Sequence, residues 1–150
     1  MRAAVATPAA VGLPAASSRT RSAPVAAATA DVHISRADFV GIPTQDVERA
    51  VAFYVGTLGL RQDEHREAEF WIGEQCYGFW KPEWAGQEFS PSQTVLALHV
   101  DDVAAARAEL EAKGVAFGRE TIDTSVCHMA LFTDPDGNAL MLHKRYKPYE

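Results

Sequence analysis

Cysteine is scarce in this sequence: Cys76 and Cys127 are the only two. They have no CxxC spacing and cannot build a disulfide framework. Both sit among apolar or aromatic neighbours with no basic cluster beside them, so they read as inert, buried thiols. Long apolar runs are missing as well. Glycine, proline or a charge breaks every hydrophobic stretch within about ten residues, about half of what a membrane-spanning helix needs, so no membrane insertion is expected. Acidic residues are absent from the first 30 positions, which carry only Arg2, Arg19 and Arg21 as charges. The rest of the chain has 11 basic against 20 acidic residues, a net charge of −9. A body that acidic repels phosphate backbones, and nucleic acid is excluded as the expected partner. The one basic cluster, Lys144, Arg145 and Lys147, reads as the solvated end of a strand. No phosphate-binding glycine loop and no supported Ser-His-Asp order occurs.

What remains is a 150-residue chain, 47% hydrophobic and 23% charged, which suits one domain with an ordinary core. Residues 1–33 stand apart. They are rich in Ala, Ser, Thr and Pro with sparse Arg, the composition of an organelle transit peptide. Pro8, Gly12, Pro14 and Pro24 interrupt any amphipathic helix there, which favours a chloroplast address, with the mitochondrion as runner-up.

From Ala37 onward the chain loosely repeats itself. FVGIPTQDVERAVAFYVGTLGL and VLALHVDDVAAARAELEAKGVAF align with Asp46 on Asp102, each between a strand-like and a helix-like run, in the place of a helix N-cap. After Asp46, the residues Val47, Ala50, Val51, Tyr54 and Leu58 recur at helical spacing and Gly59 supplies a stop. In the second copy Val103, Ala106 and Leu110 make a narrower stripe, ended by Gly114. Short strand candidates follow each helix. The predicted class is α+β: two small modules, about 36–90 and 91–146, each a strand, a helix and then two or three strands, packed as a pair.

The turn DPDG predicts the last hairpin. Pro135 presets φ, Gly137 accepts a positive φ, and Asp134 caps its own turn. Residues 125–133 and 138–146 are expected to pair antiparallel. With Thr133 opposite Asn138, His128 faces His143; a bulge at Gly137 shifts this by one.

Taken together, FVGIPTQDVERAVAFYVGTLGL, ALHVDDVAAARAEL and FTDPDGNALML resemble the vicinal oxygen chelate superfamily, which includes glyoxalase I, extradiol dioxygenases and bleomycin-resistance proteins. The resemblance covers about residues 37–146. It implies two βαβββ modules whose sheets curl into a mixed, open cup, often completed by a second copy of the chain. It also implies a divalent metal held by His and Glu on the inner face, where the cation polarises substrate oxygens. Carried over residue by residue, the ligand places fall on Phe39, Val95 and Met141, with a fourth somewhere within Cys76 to Trp80, where there is no acid. No metal is expected at these places.

Because side chains alternate along strands, Met141 should bring Ala139 and His143 into the cup, Val95 should bring Ala97 and His99, and Phe39 should bring Gly41 and Pro43. The expected pocket is lined by Phe39, Tyr77, Phe79, Val95, His128 and Met141, with His99 and His143 as the candidate acid/base groups. Aromatic side chains at 77, 79, 80, 84 and 89 suit a core, a dimer seam or a stacked ligand equally. Asp101 and Asp102 read as helix caps and 61–69 as a solvated hairpin.

The expected protein is thus a homodimeric binder of a small aromatic or carbonyl-bearing molecule, with metal-free histidine chemistry as an extension. Two alternatives stand beside it. One is a metal-dependent lyase or dioxygenase with a shifted site of His99, His143 and His128, which would take zinc or another borderline divalent ion. The other is an assembly partner within a larger plastid complex.

Overall fold

The computed structural model describes residues 33–148. The transit-peptide segment expected at 1–33 therefore lies, but for His33, outside the described residues, and the fold below is that of the unit beginning at Ser35. In chain order it comprises β1 (Phe39–Pro43), α1 (Val47–Val51) running on into a π-helical turn (Ala52–Thr57), β2 (Arg61–Gln62), β3 (Glu69–Ile72) and β4 (Gln75–Trp80). A 3₁₀ turn (Pro82–Ala85) leads to β5 (Leu96–His99), α2 (Val103–Ala112), β6 (Ile122–Asp123), β7 (Cys127–Thr133) and β8 (Ala139–Arg145).

The repeat read from the sequence is a repeat of topology. One sheet has the order β1-β4-β3-β2 and the other β5-β8-β7-β6. In each, the outer strand runs parallel to the module's last strand and the remaining pairs are antiparallel. The parallel pairing follows from the helix that separates the two strands in sequence.

Both helices begin as their capping residues dictate. The Asp46 carboxylate accepts from Arg49 N–H at 3.1 Å, and Asp102 accepts from Ala104 and Ala105 N–H at 2.8 and 3.0 Å, satisfying donors that the first helical turn leaves free. α2 ends at Gly114, whose φ of +90° admits the closing bonds Gly114 N–H to Glu111 and Val115 N–H to Leu110, a left-handed cap that glycine adopts without a Cβ clash.

The apolar stripes bury as their spacing implies. Tyr54 is fully buried and Ala50 nearly so on the first helix, as are Val103 and Leu110 on the second. Tyr54 stands at the centre of an aromatic group, 5.0 Å from the Phe70 ring and 5.1 Å from Phe79. Such pairs add about 0.5–1.5 kcal/mol each beyond area burial. The helix-facing sides of both sheets contribute to a single core, in which Ile42, Phe70 and Phe79 of the first module join Leu98, Phe132, Leu140 and Leu142 of the second.

What fastens the modules is polar and buried. The turn after β7 carries Asp134 and Asn138, 5% and 3% exposed. Asp134 accepts from the N–H groups of Asp136 and Asn138, both at 2.9 Å, from Asn138 Nδ2 at 2.6 Å and from the Tyr54 hydroxyl at 2.9 Å. Asp136 is bound from the other module by the Thr44 hydroxyl at 2.5 Å, Gln45 N–H at 3.2 Å and Arg49 at 2.6 Å. Asn138 also donates to the Pro43 carbonyl at 2.8 Å and accepts from Ser92 N–H at 2.7 Å. A buried carboxylate is tolerated only when its lone pairs are met in this way.

Burial, and next the Asp134 charge, hold the Tyr54 hydroxyl far above the ordinary tyrosine value. The folded form therefore keeps this proton, whereas the unfolded chain releases it from about pH 10. The stabilisation is complete below that pH and declines above it, by about 1.4 kcal/mol per pH unit for one proton. Tyr54→Phe should lower stability by about 1–3 kcal/mol at neutral pH. Urea unfolding from about pH 9 to 11 should show the variant losing stability less steeply than the wild type, by the slope of one titrating group; equal slopes would show that this proton is not held by the fold.

Candidate functional site

Each sheet has one side packed on the shared core and one side open. Register assigns residues to these sides, because directly opposed partners share a face. In the first sheet Phe39 pairs with Cys76, Gly41 with Gly78 and Pro43 with Trp80, and these lie on the side away from the helices, where Cys76 and Gly78 are covered by neighbouring side chains. Phe39 is 63% exposed. The Gly41 hydrogens lie under the Trp80 indole, where an added Cβ would come within 3.1 Å of the ring. Val40, Ile42, Tyr77 and Phe79 alternate with them and turn toward the helices.

The expected pocket set is accordingly divided. Phe79 does not line an open cup: it is 4% exposed and packs on Tyr54 and Phe70. Tyr77 stacks on Phe70 with ring centres 5.2 Å apart and has its edge in a cavity of about 380 Å³ at the junction of the modules. Val95 reaches the same cavity, together with Val40, Tyr54, Leu96 and Leu140. Ser92, Thr94 and Asn138 supply the polar groups of its wall. Phe39 and Met141 lie outside it on the open faces. The dense aromatic stretch thus serves three purposes at once, since Trp84, 72% exposed, is a surface residue.

The histidines separate in the same way. β7 and β8 pair with Thr133 opposite Ala139, one residue on from Asn138: Asp134 N–H bonds to the Asn138 carbonyl and Gly137, at φ +89°, takes up the extra residue of the turn, which is the shift by one that a bulge at Gly137 brings. His128 therefore pairs with Lys144 and Met129 with His143. His128 is on the other side of the sheet from His143, 3.7 Å from the Asp123 carboxylate, with its ring 4.8 Å from that of Tyr146. His99 and His143 do come together as register partners on the open face of the second sheet. The expected trio of imidazoles is a pair.

Electrostatics mark two other places. Tyr146 donates to Asp123 at 2.7 Å; that hydrogen bond holds Asp123 below the usual carboxylate range and pushes the Tyr146 hydroxyl up to about 12. Cys76 is buried as expected, and burial and next Glu69 raise its thiol, which keeps it protonated; Cys127, expected to be buried as well, is only half-buried at the start of β7. In the hairpin at 61–69, Asp63 accepts from Trp71 Nε1 and from the N–H groups of His65 and Arg66, so the turn has a specific internal cap.

The side chains at the places that the resemblance assigns to metal ligands are not donors for a hard divalent cation. Phe39 offers a phenyl ring, Val95 two methyl groups and Met141 a thioether. On the Phe39 side of β4 the window from Cys76 to Trp80 presents Cys76, Gly78 and Trp80. None supplies the carboxylate or imidazole donors such ions take. Among the described residues, no three or more His, Cys, Asp or Glu side chains gather in a way that could hold a metal. Two groups of residues escaped sequence reasoning. Thr44, Tyr54 and Asn138 form the junction across nearly the whole length of the fold, and Met129 carried no signal beyond its place in a strand-like run.

The model of the Glyoxalase/Bleomycin resistance protein/Dioxygenase superfamily matches residues 36–142. Among solved structures, the fold is similar to that of a member of the same superfamily from Sphaerobacter thermophilus, at 23% identity and a TM-score of 0.60 over 73% of this chain and 97% of that one. A lactoylglutathione lyase from Agrobacterium tumefaciens matches at 18% identity and a TM-score of 0.61, over 74% and 94%. A glyoxalase/bleomycin resistance protein/dioxygenase from Nocardioides matches at 18% and 0.60, over 79% and 93%. No curated protein matches the chain in sequence.

The placement of His128 can be checked by NMR. In Tyr146→Phe the Asp123 carboxyl should titrate higher than in the wild type and the His128 ring signals should move, with those of His143 unchanged. A response of His143 equal to that of His128 would place the two imidazoles together after all.

Proposed function

The chain belongs to the glyoxalase/bleomycin resistance protein/dioxygenase superfamily, and within it we propose a protein that binds a small aromatic or carbonyl-bearing molecule without a divalent cation at the superfamily's usual ligand places. The observation that carries this is the cavity of about 380 Å³ at the module junction, within the range of about 300–1,000 Å³ that small-molecule sites occupy. Its wall is mostly carbon, with a few hydroxyl and amide groups on one side to orient a polar substituent. Tyr77 supplies an aromatic surface there, already flat against Phe70, on which a ring could stack at little conformational cost.

Binding does not require His99 or His143, which lie on the open face of the second sheet. Their proximity to each other supports acid/base work on a molecule held over that face, since an imidazole can both give and take a proton. Separation of His128 from the pair leaves a zinc site on imidazoles short of ligands, because closed zinc sites take four.

A homodimer belongs to the same proposal. Phe39, Val40 and Val95 are 63%, 41% and 38% exposed in the single chain, and a second copy would cover apolar side chains that otherwise meet water. The acid-free, Arg-bearing start of the chain supports delivery to a chloroplast.

Ligand-detected NMR with single-ring phenols, aldehydes and ketones, in the presence of a chelator, tests the binding site. Hits should perturb the amides of Leu96 and Leu140, and Leu96→Trp, which enlarges a side chain on the cavity-facing side beside Leu140, should weaken them about tenfold or more with the thermal transition retained. Hits that survive this change, or that require an added divalent ion, would contradict the proposal. Light scattering should return twice the 16.3 kDa chain mass, and Phe39→Asp should return the monomer; a wild-type monomer at tens of micromolar would remove the dimer from the account.

A further inference from the structure

Beyond the cavity, the open face of the second sheet holds an unusual set of side chains. His99 is the register partner of His143, and His143 is in turn the partner of Met129. These three therefore stand side by side across β5, β8 and β7 on one face. Met141, two residues before His143 on β8, shares that face and is flanked there by Ala97 and Leu131. The chain has three methionines; Met1 lies outside the described residues, and the other two are both here. Neither is fully buried, and β-branched side chains are the commoner choice on a strand. Met129, Met141 and His143 are half-buried, and the side chain of His99 is 69% exposed, so the group is open to solvent.

We propose that His99, His143, Met129 and Met141 form a binding site for a soft monovalent metal ion, copper(I). The donor chemistry selects the ion. Thioether sulfur is a poor ligand for hard divalent cations and a good one for copper(I), and imidazole serves both. Directly opposed side chains on neighbouring strands have their Cβ atoms about 4.5–5.5 Å apart, close enough for two imidazoles and a thioether to converge on one ion. Methionine's unbranched chain lets the second sulfur swing in from the next position along the strand.

Charge points the same way. Imidazole and thioether bind a metal as uncharged donors, which suits an ion of single charge better than one of double charge. The nearest carboxylate, Asp101, lies 4.0 Å from His99 Nε2 and is itself bound by Lys144 Nζ at 3.4 Å. At that distance it makes no hydrogen bond to the ring and supplies only a nearby negative charge. Cys127 lies on the same face one step further along β7, opposite Arg145, with its sulfur in contact with the Thr124 hydroxyl at 3.1 Å. It is not counted among the donors. The site shares no residue with the lining of the junction cavity, so the copper proposal and the small-molecule proposal stand or fall separately.

The full chain, with methionine methyl groups labelled with ¹³C, is titrated anaerobically with copper(I) as its acetonitrile complex against bicinchoninate, and in parallel with silver(I) as a redox-inert stand-in. One equivalent should bind, and the Met129 and Met141 methyl signals should shift while that of Met1 does not. Met129→Leu/Met141→Leu conserves volume and should fold; it should lose affinity for both ions by at least about tenfold. His99→Ala/His143→Ala should do the same. Copper(I) binding unchanged in the leucine variant would overturn the site, as would binding that disappears only in Cys76→Ser/Cys127→Ser.

Discussion

Two carboxylates, Asp134 and Asp136, sit where water does not reach, and the positions of both modules follow from how they are satisfied. Removing a carboxylate from water costs several kcal/mol unless its lone pairs are met. Here the turn between β7 and β8 finds donors just after β1 and on the first helix, in Thr44, Arg49 and Tyr54 of the other module, while Ser92 N–H from the segment before β5 donates to the Asn138 side chain that holds the turn. Hydrogen bonds are directional, so this junction fixes geometry that a shared apolar core alone would leave loose. The consequence is functional. Tyr54, Asn138 and Leu140 are at once members or neighbours of the junction and walls of the cavity, so the shape of the proposed ligand site is set by the bonds that join the modules.

Local chemistry made much of the architecture legible. Asp46 and Asp102 cap helices because a short carboxylate answers free N–H groups wherever it precedes a helix, and that requires no knowledge of the rest of the chain. The stripe through Ala50 and Tyr54 and the stops at Gly59 and Gly114 are local in the same sense. What the sequence could not convey is long range. Tyr54 reads as one more apolar residue, and only the fold brings Asp134 to its hydroxyl. The DPDG motif announces a turn but not its burial. The one-residue shift that separates His128 from His143 goes with Gly137 in the left-handed region; the sequence offers that bulge as an alternative, but strand periodicity does not choose between the two registers. A slip of one residue moves every side chain to the opposite face, and for that reason a three-imidazole group became a pair. The aromatic residues from Tyr77 to Phe89 illustrate the same limit, since composition says that rings are present and only register says which of them meet.

The superfamily's scaffold is compatible with many chemistries, and shared fold does not transfer activity. The ligand places that the resemblance assigns fall here on Phe39, Val95 and Met141, while the open face of the second sheet brings the Met141 thioether beside two imidazoles and a second thioether. Lining a cavity with carbon favours partition of a flat organic molecule out of water. Gathering soft donors on an exposed face favours a different kind of ion. Both follow from which faces the two sheets turn outward, and that follows from the junction.

The central claim is that the superfamily's cation seat is gone from this chain. It is tested most directly by loading the protein separately with excess zinc, manganese, nickel and ferrous ions, removing unbound metal by gel filtration and determining the remainder by elemental analysis. The account predicts far less than one equivalent of each. One equivalent of any of them, retained by the wild type and lost in Phe39→Ala or Met141→Ala, would contradict it.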